Sequence, residues 1–256
     1  MELGGRTILI TRAATQSEQL RTGLEAAGAR VLECPAIEIV PVEDWTEVDR
    51  AAAELETYDW LILTSTNAAT YFLERLRTLG ITCRVPIAAI GTATAARLAA
   101  WNLTASRIPE DFRAEGLLAQ FEQDLSRTRI LFPRAETARE ILPGELRRRG
   151  AKVDVITVYR TVKPKTMPAG VRETLSGERI DAVVFTSPSA IRNVVEALGD
   201  DFASSLGSIP IAVIGPVAQG AVEAAGLRVS IRPDRATIRD LIAAIRSYFS
   251  NRMPYT

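Results

Sequence analysis

Residues 59–70 read DWLILTSTNAAT, and residues 181–192 read DAVVFTSPSAIR. In each, an aspartate opens a short apolar run that ends in Thr-Ser and passes into helix-favouring sequence. Asp181, Thr186 and Ser187 answer Asp59, Thr64 and Ser65 at one offset of 122 residues. Downstream, VPIAAIGTATAARLAA (85–100) matches IPIAVIGPVAQGAVEA (209–224), with Gly91 against Gly215 at an offset of 124. Upstream, RTILITRA (6–13) matches TRILFPRA (128–135) and sets Arg12 opposite Arg134. AAGARV (26–31) matches RRGAKV (148–153) and sets Gly28 opposite Gly150. A shared order at a near-constant offset marks an internal duplication. A period this long implies two similar domains, not a solenoid.

Within each copy, short β-branched apolar runs alternate with amphipathic stretches. The first copy predicts strands at 6–11, 30–34, 59–64, 86–90 and 104–108, and helices at 15–28, 46–56, 66–79, 91–101 and 113–125. The second predicts strands at 128–132, 151–156, 181–186, 210–214 and 227–231, and helices at 136–149, 168–176, 188–198, 215–225 and 235–250. Nearly all-apolar strands alternating with helices mean an α/β fold of parallel sheets covered on both faces. PAIEIVPV (35–42) and TVYRTVKP (157–164) break the rhythm at matching places. They are surface loops or the two strands of a connector. In the connector case one domain is discontinuous, 1–35 plus 165–256, and the other is 42–156. A tandem pair cut near 127 fits the pattern equally well.

Composition narrows the function classes. Lys+Arg and Asp+Glu both number 31, so no overall basic field points to nucleic acid or a membrane surface. The absence of histidine excludes Ser-His-Asp and Cys-His chemistry and the commonest metal ligand. Two cysteines, Cys34 and Cys83, form no CxxC pair and fit a reducing compartment. With no signal-peptide pattern and no apolar run near the ~20 residues of a membrane span, a cytoplasmic protein is expected.

Ligands of open parallel α/β sheets bind beyond the carboxyl ends of the strands. Thr64-Ser65-Thr66, Gly91-Thr92-Ala93-Thr94, Thr186-Ser187-Pro188-Ser189 and Gly215-Pro216 all fall there, each opening a helix. Free N–H groups and the positive dipole end suit carboxylates. Ser, Thr and Asn are also favoured N-caps, so each segment has a purely structural reading as well. Arg12 and Arg134 follow the first strand of their copies and have the bidentate geometry that carboxylates take. Tyr159 in the second connector is one of few proton donors in a chain without histidine, or a packing residue. No metal-ligand cluster, Walker loop or GxGxxG is present.

LILTSTNAA, FTSPSAI, PIAVIGP, the VYRT connector and the doubled βα pattern together resemble the uroporphyrinogen-III synthase family over essentially the whole chain. The resemblance implies two α/β domains with a two-stranded connector (36–41 and 157–164), the discontinuous arrangement, and an active site in a cleft. It implies a hydro-lyase of tetrapyrrole and heme biosynthesis that cyclises hydroxymethylbilane without cofactor or metal. The substrate is a linear tetrapyrrole bearing acetate and propionate groups. Hand-over from hydroxymethylbilane synthase to a monomer is the expected traffic.

By motif, Tyr159 is expected to assist hydroxyl departure, and Ser65, Thr94, Ser187 and Ser189 to grip carboxylates, beside Arg12, Thr64, Arg134, Thr186 and Gly215. One departure is that Val217 and Ala218 stand where family members often carry hydroxyls. The competing reading is a non-catalytic tetrapyrrole- or anion-binding regulatory module of the same fold.

Overall fold

A computed structural model describes residues 2–251 except 112 and 139, with the backbone alone at 167–169, 202 and 203. The chain forms two compact units, Met1–Ile39 with Val162–Thr256, and Val40–Thr161.

The first unit contains β1 (Thr7–Ile10), α1 (Ala14–Ala26), β2 (Arg30–Glu33), α7 (Met167–Gly177), β9 (Ala182–Phe185) and α8 (Pro188–Leu198). It continues through α9 (Phe202–Leu206), β10 (Ile211–Val213), α10 (Pro216–Ala224), β11 (Val229–Ile231) and α11 (Ile238–Ser250). Its sheet has the order β11-β10-β9-β1-β2, with every neighbouring pair parallel. The second unit holds α2 (Thr46–Ala53), β4 (Trp60–Leu63), α3 (Thr66–Thr78), β5 (Ile87–Ala89), α4 (Thr92–Ala99) and β6 (Ala105–Arg107). It closes with α5 (Ala114–Ala119), β7 (Arg129–Ala135), α6 (Ile141–Arg148) and β8 (Lys152–Val162). With β3 (Glu38–Pro41) at its edge, the second sheet runs β3-β8-β7-β4-β5-β6. Apart from β3, each sheet draws two strands from one copy of the duplicated pattern and three from the other.

The aspartates that open the duplicated stretch explain how these strands find each other. Asp181 accepts from the backbone N–H of Thr7 (2.9 Å) and from the Arg6 guanidinium (2.9 Å), while its own N–H donates to Thr7 O (2.8 Å). Asp59 repeats the pattern on Arg129, accepting from its N–H (2.8 Å) and donating to its carbonyl (2.8 Å). Each aspartate thus locks the start of β9 to β1, or of β4 to β7, and pins the register of strands far apart in sequence.

Beyond the aspartate, the four residues of β9 are all buried, as are Leu61, Ile62 and Leu63 of β4, which suits strands covered on both faces. Ser65 and Ser187 then cap α3 and α8, accepting from Ala68 N (3.0 Å) and Ala190 N (3.2 Å). Their cap dihedrals nearly coincide, φ −148°, ψ 151° and φ −151°, ψ 149°. Such a cap is worth about 1 kcal/mol.

Departures from the expected elements occur in both copies. β7 extends to Ala135 rather than 132, and α6 begins at Ile141 rather than 136. The cause is Glu136 N, which donates to Tyr159 O (3.0 Å) and holds the chain against β8 beyond the end of β7. β8 runs unbroken from Lys152 to Val162, into the expected connector segment 157–164, and β3 lies beside it. α5 stops at Ala119 because Arg149 takes up the carbonyls of Leu118 (2.8 Å) and Phe121 (3.2 Å). The short α9 was not expected. No helix among the described residues is long and apolar enough to cross a membrane.

Candidate active site

In each sheet the strand order reverses direction between two neighbours, β1 and β9 in the first unit, β7 and β4 in the second. The crevice beyond the carboxyl ends at such a switch point is where doubly wound sheets hold ligands. Arg12 and Thr186-Ser187 flank the first switch point, Arg134 and Thr64-Ser65 the second.

Around the first switch point, Arg12 is half-buried and follows Thr11, whose hydroxyl donates to Val184 O (2.9 Å). Arg12 Nε is buried with no hydrogen-bond partner, and burial pulls the guanidinium pKa below its ordinary value. A cation that cannot shed its proton and is poorly solvated favours an anion. The next helix, α1, has no side-chain N-cap, and Gln16 N donates to Ala13 O (2.9 Å). Ser187 is occupied as the cap of α8. Ser189, one residue into that helix, accepts from Arg192 (3.1 Å) and keeps its own proton to give. Arg192 is an exposed cation at this edge that sequence reasoning missed; its signal was its position three residues after Ser189. Thr186 is half-buried. Gly215 opens α10 in extended backbone, and a Cβ there would stand 3.1 Å from Ala236 Cβ, so glycine permits the close approach of the chain before α11. Val217, at the exposed start of α10, offers an apolar surface.

The second unit is built on the same plan with different chemistry. Arg134 is paired with Glu140, while its Nη1 is buried and unpartnered. It is therefore partly neutralised where Arg12 is not. Thr94 is 3% exposed, as is its counterpart Ala218, so this position is an inward one in both copies; Thr92 is the exposed hydroxyl of that helix start. Gly91, at φ +88°, occupies backbone that favours glycine. Thr64 is half-buried at the end of β4.

Tyr159 is the centre of this edge. β7 and β8 pair in step as far as Arg134 with Thr157, and the next pair is Ala135 with Tyr159, so Val158 is an extra residue on β8. Val153 and Val155 pack with Leu117, Leu118 and Leu146 on one face of the sheet, where strict alternation would also put Tyr159. The bulge turns it instead toward α3, whose buried residues take no part in that cluster. There its hydroxyl lies 3.3 Å from Ser65 Oγ, and its ring stacks on Tyr71 at 5.9 Å between centroids and 23° between planes. Tyr71 was not singled out from the sequence. The offset that relates Gly28 to Gly150 sets Ile37, a buried residue of the first unit, opposite Tyr159, so the phenol exists in one copy only. Cys34 and Cys83 are free thiols whose pKa burial pushes up, which makes neither a ready nucleophile.

A family model described as "Uroporphyrinogen-III synthase HemD" matches residues 18–243. The chain belongs to the uroporphyrinogen-III synthase family. It is 35% identical over 254 residues to a uroporphyrinogen-III synthase of Synechococcus elongatus, covering 95% of this chain and 96% of that one. A uroporphyrinogen-III synthase of Chlorobaculum parvum is 28% identical over 236 residues, 90% of this chain and 93% of its own.

Among solved structures, a mutant uroporphyrinogen III synthase of Thermus thermophilus superposes with a TM-score of 0.65 at 16% identity, covering 96% of this chain and 100% of that one. A uroporphyrinogen-III synthetase of Helicobacter pylori gives 0.60 at 17% identity, covering 94% and 99%. These two share the fold. Membership in the uroporphyrinogen-III synthase family makes the chain a lyase-class enzyme of porphyrin and heme biosynthesis that acts on a small molecule.

Proposed function

We propose that the chain converts hydroxymethylbilane to uroporphyrinogen III, expelling water and inverting ring D, with Tyr159 as the proton donor to the departing hydroxyl. The observation that supports this reading best is the whole-length identity to the Synechococcus elongatus synthase. The placement of a buried phenol at one strand-end crevice agrees with it.

Cleavage of the carbon–oxygen bond draws on the pyrrole nitrogen lone pair and yields an azafulvene. The Tyr159 proton leaves with the hydroxyl as water, the pyrrole N–H proton passes to solvent, and the phenolate recovers a proton from solvent. Ring closure at the substituted carbon of ring D gives a spiro intermediate, which fragments and recloses inverted. The chain supplies no nucleophile. It positions a flexible polyanion, and positioning of reacting groups is worth up to ~7–11 kcal/mol of barrier. Arg12, Thr186, Ser187, Ser189 and Gly215 in one unit, and Thr64, Thr94, Arg134 and the helix start capped by Ser65 in the other, are assigned to substrate carboxylates. Backbone N–H groups carry the contacts at α4 and α10, where Thr94 is buried and Val217 and Ala218 lack hydroxyls. No cofactor or metal belongs to the proposal. The protein is assigned to the cytoplasm as a monomer that receives substrate from hydroxymethylbilane synthase. Its domains are assigned as 1–35 plus 165–256 and 42–156, with 36–41 and 157–164 as connector strands.

Purified protein given hydroxymethylbilane is expected to yield the type III isomer, separated chromatographically from the type I isomer of spontaneous closure. Type I alone from folded protein would sink the reading, and tight tetrapyrrole binding without turnover would establish the regulatory alternative. Arg12→Met tests the carboxylate assignment. A hydrogen bond to a charged group is worth ~1.5–3 kcal/mol, so KM is expected to rise about 10- to 150-fold with kcat largely kept. An unchanged KM would return Arg12 to a structural role.

A further inference from the structure

We infer that Tyr71 is a positioning residue which, together with Ser65, fixes the direction in which Tyr159 delivers its proton. The inference rests on the reading of Tyr159 as proton donor, and it assigns to α3 a task beyond carboxylate binding. Ser65 and Tyr71 lie on one element, as the cap and the second turn of α3, and they engage Tyr159 at two points. Ser65 Oγ stands 3.3 Å from the phenol oxygen, and the Tyr71 ring lies 5.9 Å away and within 23° of parallel. One contact holds the oxygen. The other holds the plane of the ring, an offset arrangement that aromatic pairs prefer.

Counting protons decides how Ser65 is used. Its oxygen already accepts from Ala68 N (3.0 Å), and it has a single proton to give. Tyr159 also has one. If Tyr159 donates to Ser65, no phenol proton remains for the leaving hydroxyl. If Ser65 donates to Tyr159, the phenol proton points away from the serine and is available. Direct delivery by Tyr159 to the leaving group therefore requires the Ser65 proton on the phenol oxygen, and Ser65 then has none left for a carboxylate. In that state the carboxylate grip at this helix start falls to the backbone N–H of Thr66.

The first unit shows that this helix position is a handle in both copies. The offset of 122 sets Asn193 of α8 opposite Tyr71, and Asn193 Nδ2 donates to Ala36 O (2.8 Å), beside Ile37, the counterpart of Tyr159. In one copy the handle grips backbone. In the other it grips the ring that carries the chemistry.

The test is a double-mutant cycle on hydroxymethylbilane turnover. The stacking energy of such pairs corresponds to an expected fall in kcat of about 2- to 13-fold for Tyr71→Leu, with KM within about twofold. Tyr71→Phe keeps the ring and is expected to restore the rate. In a Tyr159→Phe background the leucine substitution should cost nothing further, because the group it positions is gone. Tyr71→Met, closer in length to tyrosine, replaces the leucine variant if thermal melting shows the latter unfolded. An equal loss in both backgrounds, or no loss in either, would overturn the inference and leave the Tyr159 reading intact. Wild-type turnover in Tyr159→Phe alone would overturn both.

Discussion

Tyr159→Phe is expected to lower kcat for hydroxymethylbilane by about 10²–10⁴-fold, the usual worth of a positioned general acid. The substitution keeps the buried ring and its stack on Tyr71 and removes only the hydroxyl that meets Ser65. Ser65 retains its bond from Ala68 N, so α3 keeps its cap. Binding is expected to change little, because the phenol serves bond cleavage and the carboxylate contacts lie elsewhere. KM should accordingly move far less than kcat, the pattern of an interaction made mainly in the transition state. As turnover slows, spontaneous closure of the substrate competes, and the product mixture shifts from type III toward type I. Quantifying both isomers against time checks the expectation. Undiminished kcat with pure type III product would reduce Tyr159 to a packing residue.

The duplicated stretch made much of this legible in advance. Asp59 and Asp181, Ser65 and Ser187 stood out because each recurs at one offset, and both pairs hold the same structural post in their units. Tyr159 stood out as a polar aromatic in a proline-bounded segment of a chain without histidine. The pairing of strands did not. β4 and β9 are short, apolar and parallel, and any such strand satisfies the pattern requirement of any neighbour, so the partners are set by tertiary contact. The bulge at Val158 is equally silent, since the apolar-polar order of the segment does not say which residue of β8 is left without a partner on β7. Tyr71 was hidden beside Phe72, where a helical period accounts for both rings as packing; its importance comes from a residue on another element. Arg134 read as the twin of Arg12, yet Glu140 pairs with it, in a stretch whose helix starts later than its composition suggests.

Phe185→Ala is expected to cost about 3–5 kcal/mol of stability, the range for truncating a fully buried phenylalanine. Phe185 ends β9, is 0% exposed and is among the largest wholly buried side chains. β9 lies between β10 and β1, so it joins the chain segment that begins at Val162 to the one that ends at Ile39. Its cluster draws Leu9, Ala13, Ala36 and Ile37 from the early segment and Val183, Ile191, Val194 and Val213 from the late one. A cavity here removes contacts from both segments at once. The surrounding helix and strand residues are short aliphatics on regular elements and have little freedom to refill it. The unfolding free energy of this unit, measured by urea denaturation of the variant against the wild type, should fall by that amount. A loss below about 1 kcal/mol would mean that the site collapses without a cavity. In that case the two segments would be held together chiefly by the strand pairing and by the Asp181 contacts to Arg6 and Thr7.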